Sequence, residues 1–221
     1  MEVSEYEPIL RVDWDIPRKQ YPPKVVTLPT GEKMVIREIE REEAPILLDA
    51  LRPLITVPRD YYDIVAARIY AEVLGWCRYR VRNEYVLIGV VNGDLAGVAN
   101  NRLVNSKTCM SLHTMAFKRG GRVGAHMFAA KHEHAIENYG VEEILVTAES
   151  PIGFQRWMVE WSLEPRPGVQ HELGGANTWA LTKENYYKIK SKMVFGQRPV
   201  PDELYRQSLN PRLIVPDVVK G

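Results

Sequence analysis

The chain has 221 residues, 45% of them hydrophobic and 26% charged, a composition suited to a globular protein with one substantial core. Its 29 basic and 28 acidic residues leave a net charge of +1, so bulk charge points to neither a nucleic-acid binder nor a membrane-surface protein. Two cysteines, Cys77 and Cys109, lack metal-like spacing and are too few for a disulfide scaffold, so a reducing compartment is expected.

No apolar run approaches the roughly 18 residues of a membrane span, and the acidic start MEVSEYEPIL does not read as a signal peptide. Cytoplasmic synthesis is therefore expected. Proline marks the two ends. Residues 1–29 hold Pro8, Pro17, Pro22, Pro23 and Pro29, and residues 196–221 hold Pro199, Pro201, Pro211 and Pro216. These stretches predict extended arms, 1–31 and 196–221, with little helix, flanking a domain over 32–195. Their apolar residues, among them Ile9, Leu10, Trp14, Leu213 and Val215, predict docking, either on their own domain or on another chain.

Between the arms the pattern alternates. Lys33–Ile39 predicts a strand from its β-branched content, and Glu42–Leu54 and Asp60–Tyr79 predict helices. Tyr85–Val91 and Leu95–Leu103 predict strands, with Asn92-Gly93-Asp94 as a hairpin signal. Cys109–Phe117 predicts a fourth strand, Val123–Asn138 a helix closed by Gly140, and Glu143–Ala148 a fifth strand. Phe154–Trp161 predicts a short helix and Asn177–Leu181 a last strand. The outcome is an α/β (α+β) fold with a mixed sheet and helices on its faces.

The segment between the fourth strand and the following helix carries the chemistry. Arg119, Gly120, Gly121, Arg122 and Gly124 form a turn just before a helix start, where backbone N–H groups without intrahelical partners and the positive dipole end can seat a phosphate. From Lys118 to Lys131 there are four basic residues and no acidic one. His126, His132 and His134 do not have the spacing of metal ligands, and no metal is expected.

With its strand before, helix after and fifth strand next, Arg119-Gly120-Gly121-Arg122-Val123-Gly124 resembles the Gln/Arg-x-x-Gly-x-Gly/Ala turn of the GNAT (acyl-CoA N-acyltransferase) superfamily. The resemblance covers about residues 33–183. It implies a mostly antiparallel sheet with helices on both faces. It also implies a site for acetyl-CoA built from Met115, Phe117, Arg119, Gly120, Gly121, Arg122, Val123, Gly124, Ala125 and Trp157. Arg122 stands where the motif has its first glycine. Met158 stands where many active members place the tyrosine that protonates the departing thiolate, and methionine has no proton to give.

His113 on the fourth strand and Glu149 at the end of the fifth are the candidate bases. Their plainer readings are a satisfied strand histidine and a solvated strand-end carboxylate. Two functions follow. The worn motif and sticky arms resemble small phage-encoded GNAT-like proteins. That resemblance implies a non-catalytic virion or assembly component, with a degenerate acetyl-CoA site and arms docked on other protein chains. The alternative is an active acetyl-CoA-dependent N-acetyltransferase acting on an amine. An open groove between the fourth and fifth strands, with the arms folded on their own domain, would favour the second.

Overall fold

The computed structural model describes residues 3–148, 150–174 and 177–219. The first half of the chain runs through α1 (Val3–Tyr6), β1 (Lys24–Thr27), β2 (Lys33–Glu38), α2 (Ala44–Leu51), α3 (Tyr62–Cys77), β3 (Glu84–Val91), β4 (Asp94–Leu103) and β5 (Thr108–Ala116). There follow α4 (Val123–Glu133), β6 (Glu143–Val146), α5 (Pro151–Gly153), β7 (Glu164–Pro165), β8 (Trp179–Thr182), α6 (Lys183–Met193) and α7 (Asp202–Ser208). The π-helical turns His134–Tyr139 and Phe154–Val159 continue α4 and α5.

The strands form one sheet in the order β1-β2-β3-β4-β5-β6-β8-β7, antiparallel throughout except for β5 and β6. The two-residue loop Asn92-Gly93, both at positive φ, closes the β3–β4 hairpin. On one face α2 and α3 bury Leu47, Leu51, Ile69, Val73 and Trp76 against Val86, Ile88, Val98 and Phe117. On the other, Met127 and Ala130 of α4 pack on Tyr85, Leu87 and Ala99. Gly97 makes that second packing close, since a Cβ there would lie 2.8 Å from Val123 Cγ1 and 3.0 Å from the Met115 carbonyl. The mixed sheet with helices on both faces is the architecture expected from the pattern.

Several local expectations are corrected. The helix read over Glu42–Leu54 is α only across Ala44–Leu51, with 3-10 turns at Arg41–Glu43 and Arg52–Thr56 where Pro53 interrupts the ladder. The fifth strand stops at Val146, and the last begins at Trp179. Helix α6 has no counterpart in the sequence reading. Its stripe is only Tyr186, Ile189 and Met193 on an otherwise polar segment, and Thr182 caps it by accepting from the Asn185 N–H. The ends also hold more regular structure than their prolines predict. Lys24–Thr27, directly after Pro22-Pro23, is the edge strand, and α7 lies between Pro201 and Pro211.

Both terminal segments are bonded to the domain between them. Val12 N–H donates to the Tyr79 carbonyl at 2.8 Å, and the Asn83 side chain accepts from Asp15 and Ile16. Val25 and Gln197 exchange two backbone hydrogen bonds, at 3.0 and 2.9 Å. Arg37, buried, donates to the Ser208 carbonyl at 2.6 Å, and Arg212 exchanges backbone bonds with the β3–β4 turn. Tyr21, Lys24 and Arg198, drawn from both ends, converge on the Glu133 carboxylate of α4.

Candidate active site

β5 and β6 run parallel, and their pairing is short. Thr108, Cys109 and Met110 pair with Glu143, Ile144 and Leu145, after which the two strands diverge. The divergence opens the sheet along the rest of β5, and the helix that follows β5 starts at the mouth of the gap. A groove of about 430 Å³ lies there, walled by Met115 and Thr114 of β5, by the Arg119–Ala125 turn, and by Ile152, Arg156 and Trp157.

The turn reverses direction through Gly120 at φ 86° and Arg122 at φ 56°. Arg122 is the N-cap of α4, and its side chain makes no capping hydrogen bond. The first-turn N–H groups of Val123, Gly124 and Ala125 are intrahelically unpaired donors beside the groove. A Cβ on Gly124 would meet nothing closer than the Ala116 Cβ at 3.9 Å, and one on Gly120 nothing within 4 Å. Packing does not demand a glycine at 124; the absent side chain leaves room in front of the helix start for a ligand.

No family model matches the sequence, and no curated protein matches it either. Solved structures do resemble it. An uncharacterized protein from Bacillus halodurans superposes with a TM-score of 0.57 at 10% identity, covering 79% of this chain and 97% of that one. The GNAT domain of S. lividans PAT gives 0.56 at 10% identity, over 75% and 99%. Aminoglycoside acetyltransferase AAC(6')-Ib, in complex with coenzyme A, gives 0.51 at 15% identity, over 71% and 99%. This chain has the GNAT fold.

Within the GNAT fold the sequence-derived residues divide cleanly. Met115, Arg119, Gly120, Arg122, Val123, Gly124, Ala125 and Trp157 line the groove. Phe117 does not: it is 1% exposed, buried in the α2–α3 core. Gly121 is also off the wall, with Leu28 Cδ1 3.1 Å from where its Cβ would be. Met158 is 2% exposed, packed in the core cluster of Phe128 and Trp161 rather than on the groove. Glu149 lies outside the described residues.

Behind the groove a second cavity of about 80 Å³ passes through the gap between the strands, sharing Thr114, Ser150 and Trp157 with the first. His113 lines it, 2% exposed. Burial, with a smaller push from Lys131, lowers the His113 imidazole to about 3, so it is neutral near pH 7 and holds a proton weakly. Trp157 stacks on Phe128 with ring centroids 4.1 Å apart and forms the wall of this inner end.

Several groove residues gave no signal in the sequence. Asp60 pairs with the Arg119 guanidinium at 3.2 Å, and Asp60 and Tyr61 are consecutive left-handed residues. Asp217, near the far end of the chain, accepts from the Arg119 backbone N–H at 2.8 Å. Lys131 reaches the inner cavity from α4. A lysine three and four residues after Phe128 and Met127, on one face of the helix with them, was the available hint.

Among the described residues no helix is long and apolar enough to cross a membrane, and no cluster of His, Cys, Asp and Glu could hold a metal.

Proposed function

We propose that this chain is an acyl-CoA-dependent N-acyltransferase that transfers a short acyl group, acetyl by size, to an amine. The observation that carries this reading is the continuity of the groove. It runs from the start of α4 along the β5–β6 gap to a smaller inner cavity that shares Thr114, Ser150 and Trp157 with it. The Arg119–Ala125 turn would hold the pyrophosphate by backbone N–H groups, with Arg122 and Arg156 adding charge, and Trp157 would flank the acyl end. The bound acyl-CoA would supply the thioester, and coenzyme A leaves as the thiol. The inner cavity, of about 80 Å³, has room for a short acyl group such as acetyl.

The test is thermal unfolding with acetyl-CoA and with desulfo-CoA. Ligand at 100 times Kd adds about 2.7 kcal/mol, which at this length raises Tm by roughly 5–10 °C. Gly124→Trp should cancel the rise while leaving the unliganded Tm within about 2 °C, because the added side chain enters the groove rather than the core. No rise at millimolar ligand refutes the reading.

A docking role of the kind suggested by phage-encoded GNAT-like proteins is the second reading, and one observation favours it. Ile9 (72% exposed), Leu10, Leu213 and Val215 project from terminal segments that are otherwise bonded down. Size-exclusion chromatography with light scattering tests it. A monomer that also shows the ligand-induced rise in Tm leaves the enzyme reading alone.

A further inference from the structure

The inner cavity contains a lysine for which no counter-ion is found among the described residues. Lys131 is fully buried, and its Nζ donates to the His113 carbonyl at 2.9 Å and to the Asn100 carbonyl at 3.4 Å. Those two carbonyls lie on neighbouring strands at the point where the β4–β5 register slips, between Asn100 and Asn101. An ammonium has three N–H groups, so one is left over, and no carboxylate pairs with it among the described residues. The Phe128 ring lies 5.4 Å away. The buried Thr114 hydroxyl, which lines both cavities, has no hydrogen-bond partner among the described residues.

An isolated buried ammonium is expensive, and without a counter-ion the group gives up its proton more easily than in water. Burial brings this one down to about 7, where it exchanges its proton readily near neutrality. The residue aligned with the usual proton donor cannot do that work, since Met158 has no proton and points into the core.

Resting on the acyltransferase reading above, we propose that Lys131 is the proton donor to the sulfur leaving group. As the amine nitrogen bonds to the acyl carbon, the carbon–sulfur bond breaks and its electron pair goes to sulfur. Lys131 passes one ammonium proton to that sulfur and becomes a neutral amine. The proton lost by the acceptor nitrogen goes to solvent, and Lys131 regains its own from solvent after thiol release.

The first experiment needs no turnover. Coenzyme A is bound to the wild type and to Lys131→Met, and thiolate formation is followed by ultraviolet absorbance against pH. The bound thiol should ionise about one unit below the free thiol in the wild type, and Lys131→Met should abolish that shift. Kinetics supply the second test. Lys131→Met should lower kcat about 100-fold or more with acetyl-CoA, and much less with an acetyl thioester of an acidic aryl thiol, whose thiolate leaves without a proton.

Equal losses with both thioesters, or an unshifted bound thiol in the wild type, overturn the proposal and leave the acyltransferase reading standing. A wild type that does not bind coenzyme A overturns both. If Lys131→Met fails to fold, the wild-type thiol titration still decides.

Discussion

Glu133 ties both ends of the chain to α4, and Glu133→Gln measures what that tie contributes. The carboxylate accepts from Lys24 Nζ at 2.7 Å, from the Tyr21 hydroxyl at 2.7 Å, and from Arg198 at 3.0 and 3.1 Å. Its side chain is only 7% exposed and that of Lys24 1%, so water screens little of the interaction. Burial alone would raise this carboxyl. The bonds from Arg198, Lys24 and Tyr21 outweigh it and pull Glu133 down from 4.5 to about 2. A folded-state value below the unfolded one stabilises the fold above pH 4.5 and loses that stabilisation as the pH falls toward 2. The difference corresponds to about 3 kcal/mol at pH 7, falling to about 2 kcal/mol at pH 3.5.

Urea unfolding of the wild type and Glu133→Gln at pH 7, 5 and 3.5 follows this directly. The expected gap is about 3 kcal/mol at pH 7, or a Tm lower by roughly 6–12 °C, and it should narrow at pH 3.5. A gap below 1 kcal/mol, or one that stays constant with pH, would refute the claim that this cluster fastens the two ends. A loss much larger than 3 kcal/mol would mean that Lys24, left charged and buried, adds its own penalty.

Two other substitutions test the groove. Arg122→Gly removes a left-handed non-glycine residue, whose cost is about 1–2 kcal/mol, and adds glycine's unfolded-state entropy of about 0.4–1 kcal/mol. Its only ion pair among the described residues, to Glu160 at 3.8 Å, is exposed, so Tm should rise by about 1–4 °C, as read by calorimetry. A fall in Tm would mean that the Arg122 side chain holds the turn. Trp157→Ala removes the ring stacked on Phe128 and should destabilise by about 2–3 kcal/mol. It should also widen the inner cavity, so that butyryl-CoA gains on acetyl-CoA in kcat/KM. An unchanged acyl preference would take Trp157 off the acyl wall.

The elements that could be read from the sequence are those whose signal is local. Asn92-Gly93 could be read as a hairpin because only a few residues adopt positive φ twice in succession. The glycines of residues 119–124, between an apolar strand and a periodic helix, marked a turn at a helix start for the same reason, and that turn does line the groove. The helix α6 and the edge strand Lys24–Thr27 were not legible. Each is stabilised mainly by what it packs or pairs against, not by its own composition.

The site itself divides along the same line. The sequence by itself determined which residues can face a phosphate, because backbone freedom and charge are properties of the residues there. Only the tertiary structure decided that β5 and β6 stop pairing at Met110 and Leu145, which opens the groove. It also decided that Met158 turns into the core while Lys131 reaches the cavity. Helical spacing places residues on a face, and what that face meets depends on strands about 20 to 30 residues away in the chain, such as Asn100 and His113.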